Sequence, residues 1–142
     1  SPVQMAASYA AFGNNGVFNE GHSITKIVYR DGITEKNYTP KSKVAMSDYT
    51  AYMVTDILRD TVSNLPGASG NYAIISGVDV AGKTGTSNYS KDDFKKYNLG
   101  NSAVPDSWFA GYTTDYSIAI WSGYDNYGTP ITTWPERRLT QT

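Results

Sequence analysis

The segment Val78-Asp79-Val80-Ala81-Gly82-Lys83-Thr84-Gly85-Thr86 carries the strongest structural signal in this chain. Its β-branched start predicts a strand that ends in a lysine, two threonines and two glycines. Because side chains alternate along a strand, Thr84 and Thr86 share one face, where two hydroxyls can hold a small anion such as a carboxylate. Lys83 supplies a cation, and Gly85 lets another backbone or a ligand approach. A Lys-Thr-Gly triplet is also compatible with a strand that simply runs into a turn.

Composition narrows the class of protein. The 142 residues suffice for one domain or part of one, and 39% hydrophobic with 18% charged residues indicates a globular chain. A net charge of −1 without a basic stripe argues against nucleic acid as a partner. Without cysteine, neither a disulfide nor a thiolate metal site can form, and a single histidine argues against a zinc site or a histidine-dependent catalytic triad. The 12 tyrosines and 13 glycines are a hint of an extracytoplasmic protein that faces sugars or cell walls.

Local signals predict an α+β fold, with a short antiparallel sheet covered by helices on at least one face. Ser1 caps a predicted helix over residues 3–12, and Ser47 caps a second over residues 49–62. Other predicted segments are a hairpin of residues 23–30 and 33–39 around Asp31-Gly32, a linker at 40–43, a short strand at 72–76, a strand at 78–86, a helical turn at 92–97, paired strands at 107–113 and 116–124, and an irregular tail. One domain is therefore predicted: a helix, a small hairpin, a helix and three sheet strands.

Apolar stripes predict which faces of the two helices are buried. In the first helix the stripe is Met5, Tyr9 and Phe12, and in the second it is Tyr49, Met53 and Ile57, with Val54 and Leu58 beside it. These helices are expected to cover the sheet.

A nucleotide-binding loop is one alternative interpretation of the central segment. Residues 77–84 satisfy the pattern G-x-x-x-x-G-K-[ST], which cradles phosphates. That loop needs a flexible turn and a helix that begins at the lysine. Here Val78-Asp79-Val80-Ala81 favours a strand, and Gly85-Thr86-Ser87-Asn88 is a poor helix start. The nucleotide-binding interpretation is therefore disfavoured.

Four blocks resemble the penicillin-binding proteins, specifically the transpeptidase domain of the bifunctional class A enzymes of Gram-positive bacteria. The central blocks are Ala81-Gly82-Lys83-Thr84-Gly85-Thr86-Ser87-Asn88-Tyr89 and Asp106-Ser107-Trp108-Phe109-Ala110-Gly111-Tyr112-Thr113. The other two, Gln4–Gly16 and Tyr49–Asp56, resemble preceding helices of that domain. One departure is Thr114, where members of the family often have proline. The resemblance implies part of the penicillin-recognising fold, in which helices pack on an antiparallel sheet.

The resemblance also implies roles for the Lys-Thr-Gly segment as catalytic and substrate-binding residues. Lys83 would line the cleft and organise its electrostatics and proton transfer. The hydroxyls of Thr84 and Thr86 would hold the terminal carboxylate of a D-Ala-D-Ala stem or of a β-lactam. The Thr86 N–H would form half of the oxyanion hole, its carbonyl would accept from the substrate amide, and Gly85 would allow close approach. Since Lys83 and Thr84 point to opposite faces, the lysine stem must curl around the strand edge.

The two other motifs of the family, S-x-x-K and S-x-N, have formal matches that we reject. Ser23-Ile24-Thr25-Lys26 lies in a strand pattern, where the serine and lysine point to opposite faces, whereas the chemistry requires a helix start. Ser69-Gly70-Asn71 is too close to Lys83 in sequence, since the family separates these motifs widely. About one chance match of each pattern is expected in a chain of this composition.

The chain is thus identified as the C-terminal part of a peptidoglycan D,D-transpeptidase domain whose nucleophilic serine lies upstream, outside this chain. The resemblance implies stem peptides, β-lactams and the upstream half of the domain as partners, with no cofactor. It further implies a membrane-anchored, extracytoplasmic parent that carries a glycosyltransferase domain and is active where this chain alone is not. The alternatives are a non-catalytic wall- or carbohydrate-binding module that uses Trp108 and Trp121, and the nucleotide binder.

Overall fold

The computed structural model describes all residues from 1 to 142 and has the predicted α+β architecture. Its helices are α1 (Pro2–Gly13), α2 (Asp48–Thr61), α3 (Lys91–Lys96) and α4 (Trp134–Arg138). Its strands are β1 (Val17–Asn19), β2 (Lys26–Val28), β3 (Glu35–Asn37), β4 (Ser42–Val44), β5 (Ala81–Thr86), β6 (Asp106–Tyr112) and β7 (Ser117–Gly123). No helix combines the length and hydropathy that crossing a membrane requires.

The main sheet consists of three antiparallel strands in the order β5-β6-β7. Helices α1 and α2 pack on one face of this sheet. A small core forms there from Leu58, Ala81 and Tyr112, with Tyr9, Phe12 and Val54 packed around it. The Tyr112 hydroxyl lies 2.7 Å from the Thr55 hydroxyl of α2, so the polar end of this buried ring is satisfied.

The opposite face of the sheet carries Phe109, which is 1% exposed, and meets the C-terminal segment. The Ser107 hydroxyl donates to the Arg137 carbonyl at 2.8 Å, which ties β6 to α4. An isolated bridge between Val104 and Ile131 fixes the start of this segment. The predicted irregular tail was therefore wrong, because Thr133 caps a helix whose Glu136 completes a capping box.

Two short ribbons stand beside the main sheet, and only one of them was predicted. Strands β2 and β3 form the expected hairpin, but its strands are shorter and its turn is wider than the Asp31-Gly32 signal indicated. The Tyr29 N–H donates to the Thr34 carbonyl, so the turn holds residues 30–33. The predicted linker at 40–43 was wrong at its second half, because Ser42–Val44 pairs with Val17–Asn19.

The strand predicted at residues 72–76 is absent. This region instead forms a single 3-10 turn, Asn71–Ala73, followed by one isolated bridge between Ile75 and Val78. The main strand β5 begins at Ala81 rather than at residue 78. A β-branched run alone does not make a strand when no neighbouring chain offers it hydrogen bonds.

The two helices bury different parts of their apolar stripes. In α1, Tyr9 and Phe12 pack against the sheet as predicted, while Met5 is exposed. In α2, the residues that face the sheet are Leu58, Val54 and Ala51. The predicted stripe of Tyr49, Met53 and Ile57 instead points away from the sheet and is exposed, together with Tyr52.

Candidate functional site

Strand β5 lies at the edge of the main sheet, since only β6 pairs with it. The Gly82 carbonyl accepts a hydrogen bond from the Thr61 hydroxyl of α2. The Thr84 carbonyl accepts from the Lys83 ammonium at 3.2 Å. Both carbonyls thus face away from β6. Because the backbone groups of alternate residues point to the same edge of an antiparallel strand, the N–H and carbonyl of Thr86 point to this free edge too.

The Lys83 side chain curls around the edge of β5, as the alternation of the strand required. Its ammonium lies 3.4 Å from the Thr84 hydroxyl and 3.4 Å from the Ser69 hydroxyl. Thr84 donates to Ser69 at 3.1 Å. An ammonium and two hydroxyls thus converge at one point of the strand, in a position open to solvent. Such a group can bind an anion or assist a proton transfer.

Thr86 and Gly85 remain accessible beside this cluster. The Thr86 side chain is exposed, and its hydroxyl makes no hydrogen bond within the chain. A Cβ at Gly85 would lie 3.2 Å from the Trp108 Cβ on the neighbouring strand, so glycine also allows close packing there. Thr86 therefore offers a hydroxyl, an N–H and a carbonyl to a ligand at the free edge.

A cleft of about 530 Å³ opens on the face of β5 that carries Thr84 and Thr86. Its charged lining residues are both cationic, Arg137 and Arg138 of α4. The Arg138 guanidinium lies 4.2 Å from the centre of the Tyr72 ring, which holds it at the rim. Arg137 donates to the Ser102 carbonyl, and its Nε is buried without a hydrogen-bond partner. With no acidic side chain in its lining, the cleft suits an anionic ligand.

The structure brings together the predicted residues Lys83, Thr84, Gly85 and Thr86, and it adds three that were not predicted as site residues. Ser69 comes from the loop after α2, and Arg137 and Arg138 come from α4. For Ser69 a signal existed in the formal Ser-Gly-Asn match, which spacing led us to reject. The arginines had no such signal, because only the path of the C-terminal segment places them here.

The other formal match does not form a catalytic pair. Lys26 makes an ion pair with Glu35 at 2.5 Å across the β2–β3 ribbon, and it makes no hydrogen bond to Ser23. The nucleotide-binding interpretation also fails, because Lys83 lies within β5 and the next helix begins only at Lys91. No group of three or more histidine, aspartate or glutamate side chains is placed to hold a metal ion.

Comparison with known families and proteins agrees with the motif resemblance. The family model described as the penicillin-binding protein transpeptidase domain matches residues 1–129. Penicillin-binding protein 1A/1B of Bacillus subtilis is 50% identical over 123 residues, covering 87% of this chain and 13% of that protein. Penicillin-binding protein 1A of Streptococcus oralis is 43% identical over 133 residues, covering 92% of this chain and 20% of that protein. The chain thus spans a fifth or less of these two relatives.

Solved structures show the same fold. Penicillin-binding protein 3 of Mycobacterium tuberculosis superposes with a TM-score of 0.70 at 26% identity, covering 97% of this chain and 33% of that chain. The D,D-transpeptidase domain of a peptidoglycan glycosyltransferase from Eggerthella lenta superposes with a TM-score of 0.68 at 27% identity, covering 97% and 30%. With the family match, the sequence identities and this geometry in agreement, the chain belongs to the transpeptidase-domain family of penicillin-binding proteins.

Proposed function

We propose that this chain supplies the substrate-binding strand of a peptidoglycan D,D-transpeptidase. The observation that carries the proposal is the convergence of Lys83, Thr84 and Ser69 at the free edge of β5, beside an open and electropositive cleft. The reaction is acyl transfer: a serine attacks the D-Ala-D-Ala amide, D-Ala leaves, and an amino group of a neighbouring stem peptide takes the acyl group. No cofactor takes part in this scheme.

The terminal carboxylate of the donor stem binds to the hydroxyls of Thr84 and Thr86. Both lie on the cleft face of β5, and the Thr86 hydroxyl is free to donate. The Thr86 N–H, directed to the free edge, supplies one donor to the oxyanion that forms when the serine attacks. A preorganised donor of this kind lowers the barrier by roughly 3–4 kcal/mol. The Thr86 carbonyl accepts from the substrate amide, which aligns the stem along the strand.

Lys83 organises the electrostatics of the site and assists proton transfer, since its ammonium is held between two hydroxyls at the strand edge. Ser69 serves as a support for this ammonium rather than as the nucleophile. The Ser69 hydroxyl accepts from both Lys83 and Thr84, so it fixes their mutual position. Gly85, which has no side chain, lets the substrate backbone approach the strand closely.

The nucleophilic serine lies in the parent protein upstream of this chain, and the chain alone does not turn over substrate. Support comes from the lengths of the relatives and from the single S-x-x-K match, Ser23 to Lys26, whose lysine forms an ion pair with Glu35. β-Lactams acylate that same serine in this proposal. Two neighbours at 26% identity, both described as penicillin-binding protein 3 of Mycobacterium tuberculosis, are complexes with aztreonam and ampicillin.

The upstream half of the transpeptidase domain packs against this chain. The exposed stripe of α2, formed by Tyr49, Tyr52, Met53 and Ile57, supports this, because so many apolar side chains on one helix face favour coverage by a partner surface. The parent is anchored in the membrane and works on its extracytoplasmic side, where peptidoglycan is cross-linked.

Substitution of Lys83 in the parent protein tests this function. Lys83→Met is expected to slow acylation by a fluorescent penicillin by about 100-fold, which corresponds to the loss of a charge-assisted contact and its proton-transfer role. The matched control is Lys91→Met, since Lys91 is an exposed lysine without a partner at the start of α3. Equal acylation of the two variants would contradict the proposal. Glycan binding that survives Lys83→Met but not Trp121→Ala would favour a carbohydrate-binding module.

A further inference from the structure

A second pocket, of about 260 Å³, lies where β5 runs into the following loop. Its walls include three aromatic side chains, Trp121, Tyr124 and Tyr127, all of which are partly exposed. Asn88 lines this pocket and also the larger cleft beside Thr84 and Thr86, so the two cavities adjoin. We call the smaller cavity the aromatic pocket.

Both charged residues that line the aromatic pocket are acidic, Asp106 and Asp125. Asp106 is fixed in place, because its carboxylate accepts from the Ser87 hydroxyl and from the Trp121 indole N–H at 3.4 Å. A carboxylate can accept further hydrogen bonds beyond these two. Asp125 makes no hydrogen bond or ion pair within the chain. The pocket thus joins electron-rich ring faces with uncompensated negative charge.

Two further groups lie near the aromatic pocket, the Tyr89 phenol and the Asp93 carboxylate, and the Lys96 ammonium interacts with this carboxylate. The Tyr89 ring packs against Tyr127 at 5.1 Å between centroids, below the pocket. Burial raises the pKa of the Tyr89 phenol, and neighbouring charges that include Asp93 and Asp106 raise it further. The Tyr89 phenol therefore stays neutral at physiological pH. The Tyr127 hydroxyl also donates to Asp93 at 3.4 Å, which places a third carboxylate behind the ring.

We propose that the aromatic pocket binds a primary ammonium group of the acceptor strand, the amine-bearing substrate that takes the acyl group. This inference rests on the proposed transpeptidase function. Aromatic faces attract ammonium groups through their quadrupoles, and carboxylates pair with them by charge-assisted hydrogen bonds. The cleft beside Thr84 and Thr86 is lined by cationic side chains and the aromatic pocket by acidic ones. The cleft therefore favours a carboxylate, and the adjoining pocket favours an ammonium group.

The pocket acts in binding and not in bond formation. An amine held there is protonated and cannot attack an acyl group, so it must leave the carboxylates and lose its proton before it reacts. The pocket therefore raises the local concentration of acceptor beside the acyl-enzyme. Its loss should raise the acceptor KM, while kcat at saturating acceptor stays within about twofold of the wild-type value.

The test uses the parent protein with a D-Ala-D-Ala-type thioester as acyl donor and Nα-acetyl-lysine amide as acceptor. Asp125→Asn is expected to raise the acceptor KM about fivefold, as loss of one partly exposed ion pair would. Asp125 has no partner inside the chain, so this change should not impair folding. The matched control is Asp115→Asn in the β6–β7 turn, at the other end of the hairpin, which removes the same charge and should leave the KM unchanged.

A competition experiment provides a second readout. Nα-acetyl-trimethyllysine amide carries a cation but cannot react, and it should compete with the acceptor because aromatic faces bind quaternary ammonium groups. The neutral Nα-acetyl-norleucine amide, of similar length, should not compete. Tyr124→Leu should weaken inhibition by trimethyllysine without changing acylation by the thioester.

The outcomes separate this inference from the function on which it rests. Normal acylation with an unchanged acceptor KM in Asp125→Asn, or equal competition by norleucine, would overturn the ammonium subsite alone. Failure of the wild-type parent to be acylated at all would overturn the transpeptidase function and the subsite together. A raised acceptor KM in Asp125→Asn, with Asp115→Asn unaffected, would support the proposal.

Discussion

The two threonine hydroxyls of β5 differ in how they are held. Thr84 donates to Ser69, whereas Thr86 has no partner within the chain. In the proposed complex both bind the substrate carboxylate, but only Thr86 does so without first giving up an internal hydrogen bond. At this scale the site therefore depends on a few polar atoms at one strand edge, and each of them can be removed separately.

Thr86→Val in the parent protein should slow penicillin acylation about 10- to 100-fold, because a hydrogen bond to a charged group contributes roughly 1.5–3 kcal/mol. Valine keeps the β-branched shape that favours the strand, so stability should change little. The rate is measured by stopped-flow labelling with a fluorescent penicillin. Thr25→Val, at an exposed threonine without a side-chain hydrogen bond, is the control. Equal acylation rates for the two variants would show that Thr86 does not bind the substrate.

A substitution at Gly82 tests how closely β5 and β6 pack beneath the site. A Cβ at this position would lie 2.6 Å from the Phe109 ring and 3.0 Å from the Ala110 carbonyl, and neither neighbour has room to move. Gly82→Ala should therefore lower the free energy of unfolding by about 1–3 kcal/mol, measured by urea denaturation of the parent. Gly100→Ala is the matched control, since nothing lies within 4 Å of its added Cβ. A stable Gly82→Ala variant would contradict the close approach of β5 and β6.

At the level of helices and strands, the sequence predicted those elements that form through contacts between neighbouring residues. Helix α2 begins at the Ser47 cap, and β6 and β7 lie at their predicted positions. Both signals, helix capping and strand alternation, depend only on residues close together in sequence. Strand β4 was missed, since Ser42–Val44 is polar and becomes a strand only by pairing with the distant Val17–Asn19. Helix α4 was missed because no apolar run follows its Thr133 capping box.

The residues of the candidate site were likewise predictable only where they depend on neighbouring residues in the sequence. The Lys-Thr-Gly segment was predictable because strand alternation and a specific motif lie within a few residues. The contact of Ser69 with Lys83 depends on the loop after α2, and the approach of Arg137 depends on how the C-terminal segment crosses the sheet. Neither path follows from residue types near those positions.

The capping box of α3 gives an element-scale prediction of pH dependence. Hydrogen bonds from the Ser90 hydroxyl and N–H lower the pKa of Asp93. Because the folded pKa lies below the unfolded value, this contribution to stability is present above about pH 4 and is lost as the pH falls through the folded pKa. Ser90→Ala should raise the pKa of Asp93 towards its ordinary value, measured by carboxyl NMR titration. An unchanged pKa would show that the capping box does not form.

For the molecule as a whole, the main feature is the exposed stripe of α2, which the proposed parent protein would cover. Ile57 is 64% exposed in the isolated chain, although it lies on a helix face with three other large apolar side chains. In the proposed parent this face is covered by the upstream half. The small core between α1, α2 and the sheet then becomes one part of a larger interior.

Ile57→Ser should weaken co-purification of this chain with the separately expressed upstream half, because burial of an isoleucine side chain contributes about 1.5–3 kcal/mol. Ile33→Ser is the matched control, since Ile33 is 85% exposed in the turn of the β2–β3 hairpin. Pull-down yield and unfolding of the joined halves are the measurements. Equal yields for the two variants would show that the α2 stripe is not the contact surface.

The most direct measurement is labelling of this chain and of the longer parent with a fluorescent penicillin, followed by intact mass and peptide mapping. We expect the parent to carry one label, on a serine upstream of this chain, and the 142-residue chain to stay unlabelled. A label on Ser69 or Ser23 would contradict the placement of the nucleophile. Absence of label from both proteins would contradict the transpeptidase function itself.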